Sequence, residues 1–429
     1  MSRIARVLPV GVLLAGLCWL APAVPAASSF PPGEVPTSGY PWVRASDQPA
    51  APAAKPSVSP LPPGEGPGVR AAAQPPAEAK PQPKKELSPE MAALRDRVRR
   101  TTGAVYHQPF NTRDNNVSDI IQFCRAFGCQ SEICDGGPSG PKVNGITCLC
   151  WNLPCGGGSP LLVCEGHLAA RIGYGYQEVP AQLAAVLALA RVPAEYPVRV
   201  AERVGTVADL VESEKLACRA GEDLSWRLIA LAQYVSEPTW KNAQGEQWSV
   251  ERMVREELKR LVGQVPQTEA TPLLALSWTL DRRTRHNLPL DGDFLTAKKY
   301  VADCRDYVLA SQNSDGSWGR ASARDPASAL AATAGLLEWL VLSLPKKQLE
   351  EPKIVQAVGY VDGLLAMQVN QVNLSALGSR DLAAAMAAAH ALYAYDAEVF
   401  APADPPPPAP AEKQTAAKPE KVAGKPAAE

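Results

Sequence analysis

The sequence lacks an excess of charge of either sign, and it also lacks the alternating apolar pattern of β-strands. Its 429 residues carry 43 basic and 44 acidic side chains, which leaves a formal net charge of −1. A chain without surplus positive charge has little to hold a polyphosphate by counterion release, so nucleic acid is not an expected partner. Between residues 88 and 400, no run of Val, Ile and Thr alternates with polar residues over the length of a strand. This absence argues against a β-rich fold.

Two long segments contain few large apolar residues. Residues 27–87 are rich in Pro, Ala and Gly, and residues 401–429 are rich in Pro, Lys and Ala. Such segments cannot bury enough surface to offset the entropy cost of ordering, so both are predicted to be disordered. This assignment leaves residues 88–400 as the folded domain.

The N-terminus has the layout of a secretory signal peptide. Arg3 and Arg6 precede an apolar run over residues 7–20, and small residues follow up to Ala26. The pattern predicts a signal peptide over residues 1–26 and export to a periplasmic or extracellular location. The alternative is an uncleaved N-terminus that associates the protein with a membrane, because apolar character continues to Val24.

Apolar residues recur at helical spacing through most of residues 88–400. Ser88 is a predicted N-cap, and Pro89 follows it at the first helical position. Short links that contain Pro or Gly separate most of the helical segments. The further predicted helices cover residues 180–191, 207–218, 223–235, 249–262, 271–283, 294–312, 327–344, 352–370 and 381–399. The sequence therefore predicts an all-α domain built of antiparallel helix pairs.

The stretch from Gln312 to Trp318 follows a predicted helix and is typical of a structured helix end. Asp315 and Gly316 predict a tight turn in which the glycine takes the left-handed conformation. Trp318 is then placed to cover the helix end, and Gln312 is suited to hydrogen-bond the unpaired backbone groups there. These four residues form the predicted structural motif.

The spacing of this motif resembles a repeat found in a known superfamily. Tyr307, Val308, Gln312, Gly316 and Trp318 are placed as in the second half of the QW repeat of terpenoid cyclases. The spacing is more loosely similar to the repeats of protein prenyltransferase β subunits. That superfamily folds as an α/α toroid, so the resemblance implies a toroid of antiparallel helix pairs.

Further segments resemble a group of exported bacterial proteins, common in planctomycetes and assigned to the same toroid superfamily. The segments are residues 107–114, 144–152, 173–178, 337–340 and 343–345. This resemblance covers most of the folded domain and implies the toroid fold and an exported location. It implies no reaction, because the group has no settled activity.

The catalytic motifs of the cyclases and prenyltransferases are incomplete in this sequence. Protonating cyclases use Asp-x-Asp-Asp, whereas Asp291-Gly292-Asp293 lacks the final carboxylate. The structural interpretation of this stretch is a loop that supplies an N-cap to the following helix. The Asp-Asp-x-x-Asp motif of ionising cyclases is absent, and the zinc ligands of the prenyltransferases are not recoverable. Cys304 falls on the apolar face of its helix, where ordinary burial explains it.

Cysteine is concentrated in one segment, because seven of the ten cysteines lie between residues 124 and 164. The segment is rich in Gly and Pro and is predicted to be a loop insertion in the toroid. Thiols of exported proteins are oxidised, so disulfides are the first expectation. The disulfide candidates are Cys124, Cys129, Cys134, Cys148, Cys150, Cys155 and Cys164, with Cys218 or Cys304 as the partner of the odd one.

A zinc site is the alternative use of these side chains. The metal candidates are Cys148, Cys150, Cys155, Cys164 and His167, because thiolates and imidazoles are zinc ligands. The paired two-residue spacings of structural zinc sites are missing, so the first expectation is no cofactor. His167 and Glu178 are the candidate catalytic residues, because titratable and aromatic side chains gather around them.

Three functions follow from these patterns. The first is an exported, non-catalytic toroid that binds an unknown ligand or a component of the cell envelope, because a fold motif is present without the reacting groups of the enzymes. The second is an enzyme, either a divergent terpenoid-cyclase-like protein or a metal-assisted hydrolase, with its site around His167. The third is a purely structural envelope protein, in which side chains would fill the centre of the toroid.

Overall fold

The computed structural model describes residues 87–261, 270–319 and 326–400. The predicted signal peptide, the C-terminal tail and all but the last residue of the predicted linker lie outside these ranges. Within them the chain is mostly helical, which confirms the all-α class. The helices are Pro89–Tyr106 (α1), Val117–Phe127 (α2), Gly145–Cys150 (α3), Gln182–Leu189 (α4), Val207–Leu216 (α5), Ser225–Tyr234 (α6), Val250–Leu261 (α7), Thr271–Arg285 (α8), Gly292–Ala310 (α9), Pro326–Ser343 (α10), Lys346–Leu349 (α11), Pro352–Gln371 (α12) and Ser379–Val399 (α13).

Eight short strands accompany the helices in the described part of the chain, and they pair as four separate antiparallel hairpins. The strands are Glu132–Cys134 (β1), Lys142–Asn144 (β2), Leu161–Cys164 (β3), His167–Ala170 (β4), Pro197–Val200 (β5), Arg203–Thr206 (β6), Trp240–Lys241 (β7) and Gln247–Trp248 (β8). These few short strands leave the domain in the all-α class. Strands of two to four residues are too short for apolar alternation to appear in the sequence.

The segment from residue 124 to residue 164 has more structure than a loop. It contains the end of α2, the β1–β2 hairpin, helix α3 and strand β3. Most of its cysteines are buried in the main apolar core, including Cys124 and Cys148 at 0% exposure. The apolar contacts that order this segment therefore include the cysteine side chains themselves.

The first two helices begin at side-chain caps. The Ser88 hydroxyl accepts a hydrogen bond from the Met91 amide at 3.3 Å, and Pro89 follows the cap as predicted. Helix α2 begins at a capping box: the Asn116 side chain accepts from the Asp119 amide at 3.1 Å. In return, the Asp119 carboxylate accepts from the Asn116 amide at 3.0 Å. Two otherwise unpaired amides are satisfied by these two side chains.

Replacing Asn116 with alanine is expected to lower the free energy of unfolding by about 1 kcal/mol, because the first turn of α2 loses its cap. Chemical denaturation of the full chain would measure the change. The matched control is Asn370→Ala, at an exposed position near the end of α12. Equal stabilities of the two variants would contradict a capping role for Asn116.

Six of the helices contact one another in a succession that returns to its start. Helix α2 packs against α4, α4 against α6, α6 against α8, α8 against α10, α10 against α13, and α13 against α2. The long helices α1, α5, α7, α9 and α12 pack against members of this series or against one another. The six-helix series therefore has helical neighbours along its length, and one continuous apolar core extends from α1 to α13.

Helices α10 and α13 pack against each other, and both are rich in small residues. Ala334 on α10 and Ala385, Ala388 and Ala389 on α13 are completely buried. Larger side chains on the other sides of α10 are buried as well, and the Trp339 indole donates to the Ser277 hydroxyl on α8 at 2.8 Å. Helix α10 therefore has the composition expected of a helix with neighbours on several sides.

The Gln312–Trp318 stretch closes the end of α9. The Gln312 amide group donates to the Gly316 carbonyl at 3.0 Å and to the Lys353 carbonyl, at the start of α12, at 2.8 Å. The Trp318 indole is 2% exposed and donates to the Val308 carbonyl at 2.8 Å. Gly316 has φ +91°, and a Cβ placed there would lie 2.6 Å from the Gln356 carbonyl oxygen. The turn therefore joins the end of α9 to the start of α12.

Candidate functional site

A buried carboxylate joins three helices that are far apart in the sequence. Glu338 on α10 is 3% exposed, and its Oε2 accepts from Arg125 Nη2 on α2 at 2.6 Å. Its Oε1 lies 2.8 Å from His390 Nδ1 on α13. An ionised carboxylate only accepts hydrogen bonds, so Nδ1 of His390 carries the hydrogen. We call these three residues the Glu338 cluster.

The Glu338 cluster holds its carboxylate in the charged form. Burial raises the pKa of Glu338, but the charge of Arg125 and then the interaction with His390 outweigh burial and bring the pKa to about 2. The Arg125 guanidinium also lies 5.1 Å from the centre of the Trp226 ring. Its buried Nε has no hydrogen-bond partner in the described part of the chain. The guanidinium is therefore held by a carboxylate and an aromatic face. Its Nε–H group is left without a partner among the described residues.

Arg125 and Glu338 line a cavity of about 530 Å³. Its walls come from helices α2, α8, α10 and α13 and from the connection before α4. Half of the lining residues are small or apolar, and the other half carry charged or hydroxyl-bearing side chains. The small and apolar residues are Ala270, Leu274, Ala331, Gly335, Ala383, Ala384 and Ala387, and the polar ones include Tyr174, Glu178, Ser379 and Arg380.

The two candidate catalytic residues occupy different places. Glu178 is exposed and lines the cavity, together with Tyr174, whose side chain is almost fully exposed. His167 begins strand β4 and faces Cys164 across the β3–β4 hairpin. His167 is not among the residues that line the cavity. The structure therefore brings Glu178, but not His167, to the side of the Glu338 cluster.

The cysteines of the described ranges are not bonded to one another, so the structure does not bear out the predicted disulfides. None of these nine cysteines is in a disulfide. Cys148 Sγ on α3 and Cys155 Sγ are in contact at 3.6 Å, which is beyond the length of a disulfide bond. Burial raises the pKa of the Cys150 thiol to about 12, so that thiol is protonated at neutral pH. Cys129 is the exposed member of the set, and its thiol donates to the Ala190 carbonyl at 3.3 Å.

The predicted zinc ligands do not form a recognisable metal site. Across residues 87–261, 270–319 and 326–400, no group of three or more His, Cys, Asp and Glu side chains is arranged to hold a metal ion. Cys164 and His167 belong to the β3–β4 hairpin, whereas Cys148 and Cys150 belong to α3. Cys155 contacts Cys148 but donates its own hydrogen bond to the Leu153 carbonyl at 3.5 Å.

The acidic stretch before α9 has a structural arrangement. Asp291 is the N-cap residue of α9, although its side chain makes no capping hydrogen bond, and the helix starts at Gly292. The Asp293 carboxylate accepts from Arg255 of α7, with the closest atoms 2.7 Å apart. Asp293 is therefore paired with a neighbouring helix rather than directed at a substrate site.

Sequence reasoning missed the Glu338 cluster as a site. The sequence patterns did not bring Arg125, Glu338 and His390 together. A usable signal was present: Glu338 is the one charged residue of α10, in a helix otherwise made of small and apolar residues. A single charge inside such a helix needs a partner elsewhere in the fold.

Among the described residues, no helix has both the length and the apolar character that crossing a bilayer requires. No protein-family model, curated protein or solved structure matches the chain.

Proposed function

We propose that this protein is a binding protein whose ligand occupies the cavity beside the Glu338 cluster. The observation that carries this proposal is a preformed cavity in which small and apolar residues face the fixed charges of the Glu338 cluster. Ligand pockets in proteins commonly measure about 300–1,000 Å³ and combine apolar walls with polar groups that orient the ligand. The ligand expected is a small, largely apolar molecule with one polar or anionic group.

The state of the charged groups favours binding over catalysis. Both oxygens of Glu338 accept hydrogen bonds from protein groups, and the low pKa of Glu338 leaves it without a proton to donate near neutral pH. The buried Nε–H of Arg125 is not used by any group among the described residues. These groups are suited to position a ligand. The enzyme alternative around His167 is weaker because His167 does not line the cavity.

We further propose that residues 88–400 form an α/α toroid, with residues 124–164 as its Cys-rich insertion. The support is the helix succession α2, α4, α6, α8, α10 and α13, in which the last member contacts the first. The turn at Gln312–Trp318, which links α9 to α12, is a second support. In such an arrangement the Glu338 cluster ties together three neighbouring inner helices, and the cavity opens between them.

An exported location is also part of the proposal, and its support comes from the N-terminal pattern of Arg3, Arg6 and the following apolar run. Outside the cell, oxidation would couple neighbouring thiols. The first pair expected to do so is Cys148 and Cys155, because their sulfur atoms are already in contact. The cavity would then bind its ligand, or a component of the envelope, in the periplasm or outside the cell.

Filling the cavity is expected to weaken binding of an apolar anion. The probe is 1-anilinonaphthalene-8-sulfonate, which combines aromatic rings with a sulfonate. In the Ala331→Leu variant a larger side chain enters the cavity from an exposed position on α10. We expect its dissociation constant to rise at least tenfold, about 1.4 kcal/mol, measured by fluorescence titration of the full chain.

The matched control is Ala208→Leu, which makes the same change at an exposed position on α5 away from the cavity. This variant is expected to bind the probe as the wild type does. Thermal unfolding of both variants would verify that they are folded. Equal affinities in Ala331→Leu and Ala208→Leu would show that the probe does not use this cavity and would overturn the proposal.

A further inference from the structure

Helices α1 and α12 enclose a second cavity, separate from the one beside the Glu338 cluster. Its volume is about 390 Å³, and it shares no lining residue with the larger cavity. Ala104 on α1 and Ala366 and Val369 on α12 supply an apolar side. Arg97 and Arg100 on α1 and Asp362 on α12 supply charges. The cavity therefore has an apolar wall and both signs of charge within one short stretch of two helices.

Asp362 is the unusual residue of this cavity. It lies in the middle of α12 and is 5% exposed, among the fully buried Val358, Val361 and Leu365. Its Oδ2 lies 3.6 Å from Arg97 Nε, which is an ion pair without a short hydrogen bond. Its Oδ1 is buried and accepts no hydrogen bond within the described residues. Buried carboxylate oxygens are nearly always hydrogen-bonded, so this acceptor is available to a donor that enters the cavity.

The charges around Asp362 indicate what kind of ligand would carry this hydrogen-bond donor. The two guanidinium groups outnumber the single carboxylate, so the cavity carries a net charge of +1. Arg97 is half exposed at 51%, and Arg100 is exposed, so both can turn to an incoming group. Guanidinium groups bind carboxylates through paired N–H donors. A ligand that neutralises this cavity is therefore an anion that also carries a hydrogen-bond donor.

We propose that the α1–α12 cavity is a binding site for a hydroxylated carboxylic acid of the sugar-acid type. A hydroxyl group of the ligand donates to Asp362 Oδ1, and its carboxylate binds Arg97 and Arg100. The C–H face of the ligand lies against Ala104, Ala366 and Val369. Each recognised group of the ligand has a counterpart on the protein, and none of these contacts uses the Glu338 cluster.

Calorimetric titration of the full chain tests this site with three probes of similar size. D-Glucuronate has both the carboxylate and the hydroxyl groups, D-glucose lacks the anion, and cyclohexanecarboxylate lacks the hydroxyls. D-Glucuronate is expected to bind at least tenfold more tightly than either of the others. Failure of D-glucuronate to bind, or equal affinity for all three probes, would overturn the proposal.

Three variants assign the contacts. Arg100→Gln removes an exposed guanidinium and is expected to weaken D-glucuronate binding about tenfold, the effect of one lost charged contact. Arg95→Gln, on the same helix but outside the cavity and paired with Asp96, is the matched control and is expected to bind as the wild type does. Asp362→Leu is expected to abolish discrimination between D-glucuronate and cyclohexanecarboxylate.

The results separate this site from the proposed function. Ala331→Leu is expected to leave D-glucuronate binding unchanged, because Ala331 lines only the larger cavity. If Arg100→Gln and Arg95→Gln bind D-glucuronate equally, the carboxylate does not use this cavity and the inference is wrong. If Asp362→Leu still discriminates between the two acids, the assigned hydroxyl contact is wrong.

Discussion

Replacing Glu338 with glutamine is expected to lower the free energy of unfolding by about 3 kcal/mol, because Arg125 is left buried without a counter-charge. The Arg125 side chain is 12% exposed. The substitution also removes the negative charge that faces His390. Denaturation by urea, followed by circular dichroism at neutral pH, measures the loss. The matched control is Glu398→Gln, at an exposed position of α13, which is expected to change stability by less than about 0.5 kcal/mol.

The same cluster predicts how stability depends on pH. The pKa of Glu338 is about 2 in the folded chain, against an ordinary value of 4.5. A lowered pKa stabilises the fold fully above the ordinary value, and this contribution is lost as pH falls toward the folded value. The gap between wild type and Glu338→Gln is therefore expected to be complete above pH 4.5 and to close toward pH 2. A gap that stays constant over this interval would contradict an ionised, paired Glu338.

Replacing Trp318 with alanine is expected to cost about 4 kcal/mol of unfolding free energy, because a large buried ring is removed from a site that cannot collapse around the space. The indole is 2% exposed, and its N–H donates to the Val308 carbonyl near the end of α9. The Trp318 amide also donates to the Thr333 hydroxyl on α10 at 3.2 Å. The loss would be measured by chemical denaturation of the full chain.

Two comparisons give the Trp318 result its meaning. Trp151→Ala removes the same side chain where it is 39% exposed and lies against Arg199, and is expected to cost less than about 1 kcal/mol. Trp318→Phe keeps most of the ring but loses the indole donor, so an intermediate cost is expected. If Trp318→Ala were no more damaging than Trp151→Ala, the turn after α9 would not hold helices together.

The long helices were predictable because each carries its own signals. Pro89 after Ser88 marks the start of α1, and the apolar face of α9 repeats through Phe294, Val301 and Val308. Local capping and spacing are properties of a few neighbouring residues, so the sequence reports them directly. The predicted ends of the helices differ from the observed ends by at most two residues. Helix α9, for example, was predicted over residues 294–312 and spans Gly292–Ala310.

Helix α2 escaped prediction although its signals were present in the sequence. Its apolar residues Ile120, Phe123 and Phe127 recur at helix spacing. Asn116 and Asp119 also supply a capping box at its start. Helix α3 is only six residues long and lies among the cysteines, whose spacing drew the interpretation toward cross-links and zinc.

The Glu338 cluster could not be assembled from the sequence because its members meet only in the folded chain. Local patterns can show that Glu338 is an isolated charge, but they cannot show which cation pairs with it. Asp362 poses the same difficulty, since its neighbour Arg97 lies on the first helix of the domain. His167 and Glu178 are close in sequence, which suggested that they share a site. Only Glu178 lines the cavity, so the structure does not support that suggestion.

The pairing of Arg125 with Glu338 joins positions 213 residues apart, and α13 also packs on α1 and α2. While the chain is being synthesised, α2 exists long before the carboxylate that neutralises it. The N-terminal half therefore cannot reach its native packing during synthesis. The surfaces of α1 and α2 that pack on α13 stay uncovered until α13 has been made. Because these contacts join distant parts of the sequence, closing the domain is a late event, and apolar surface stays open to aggregation until then.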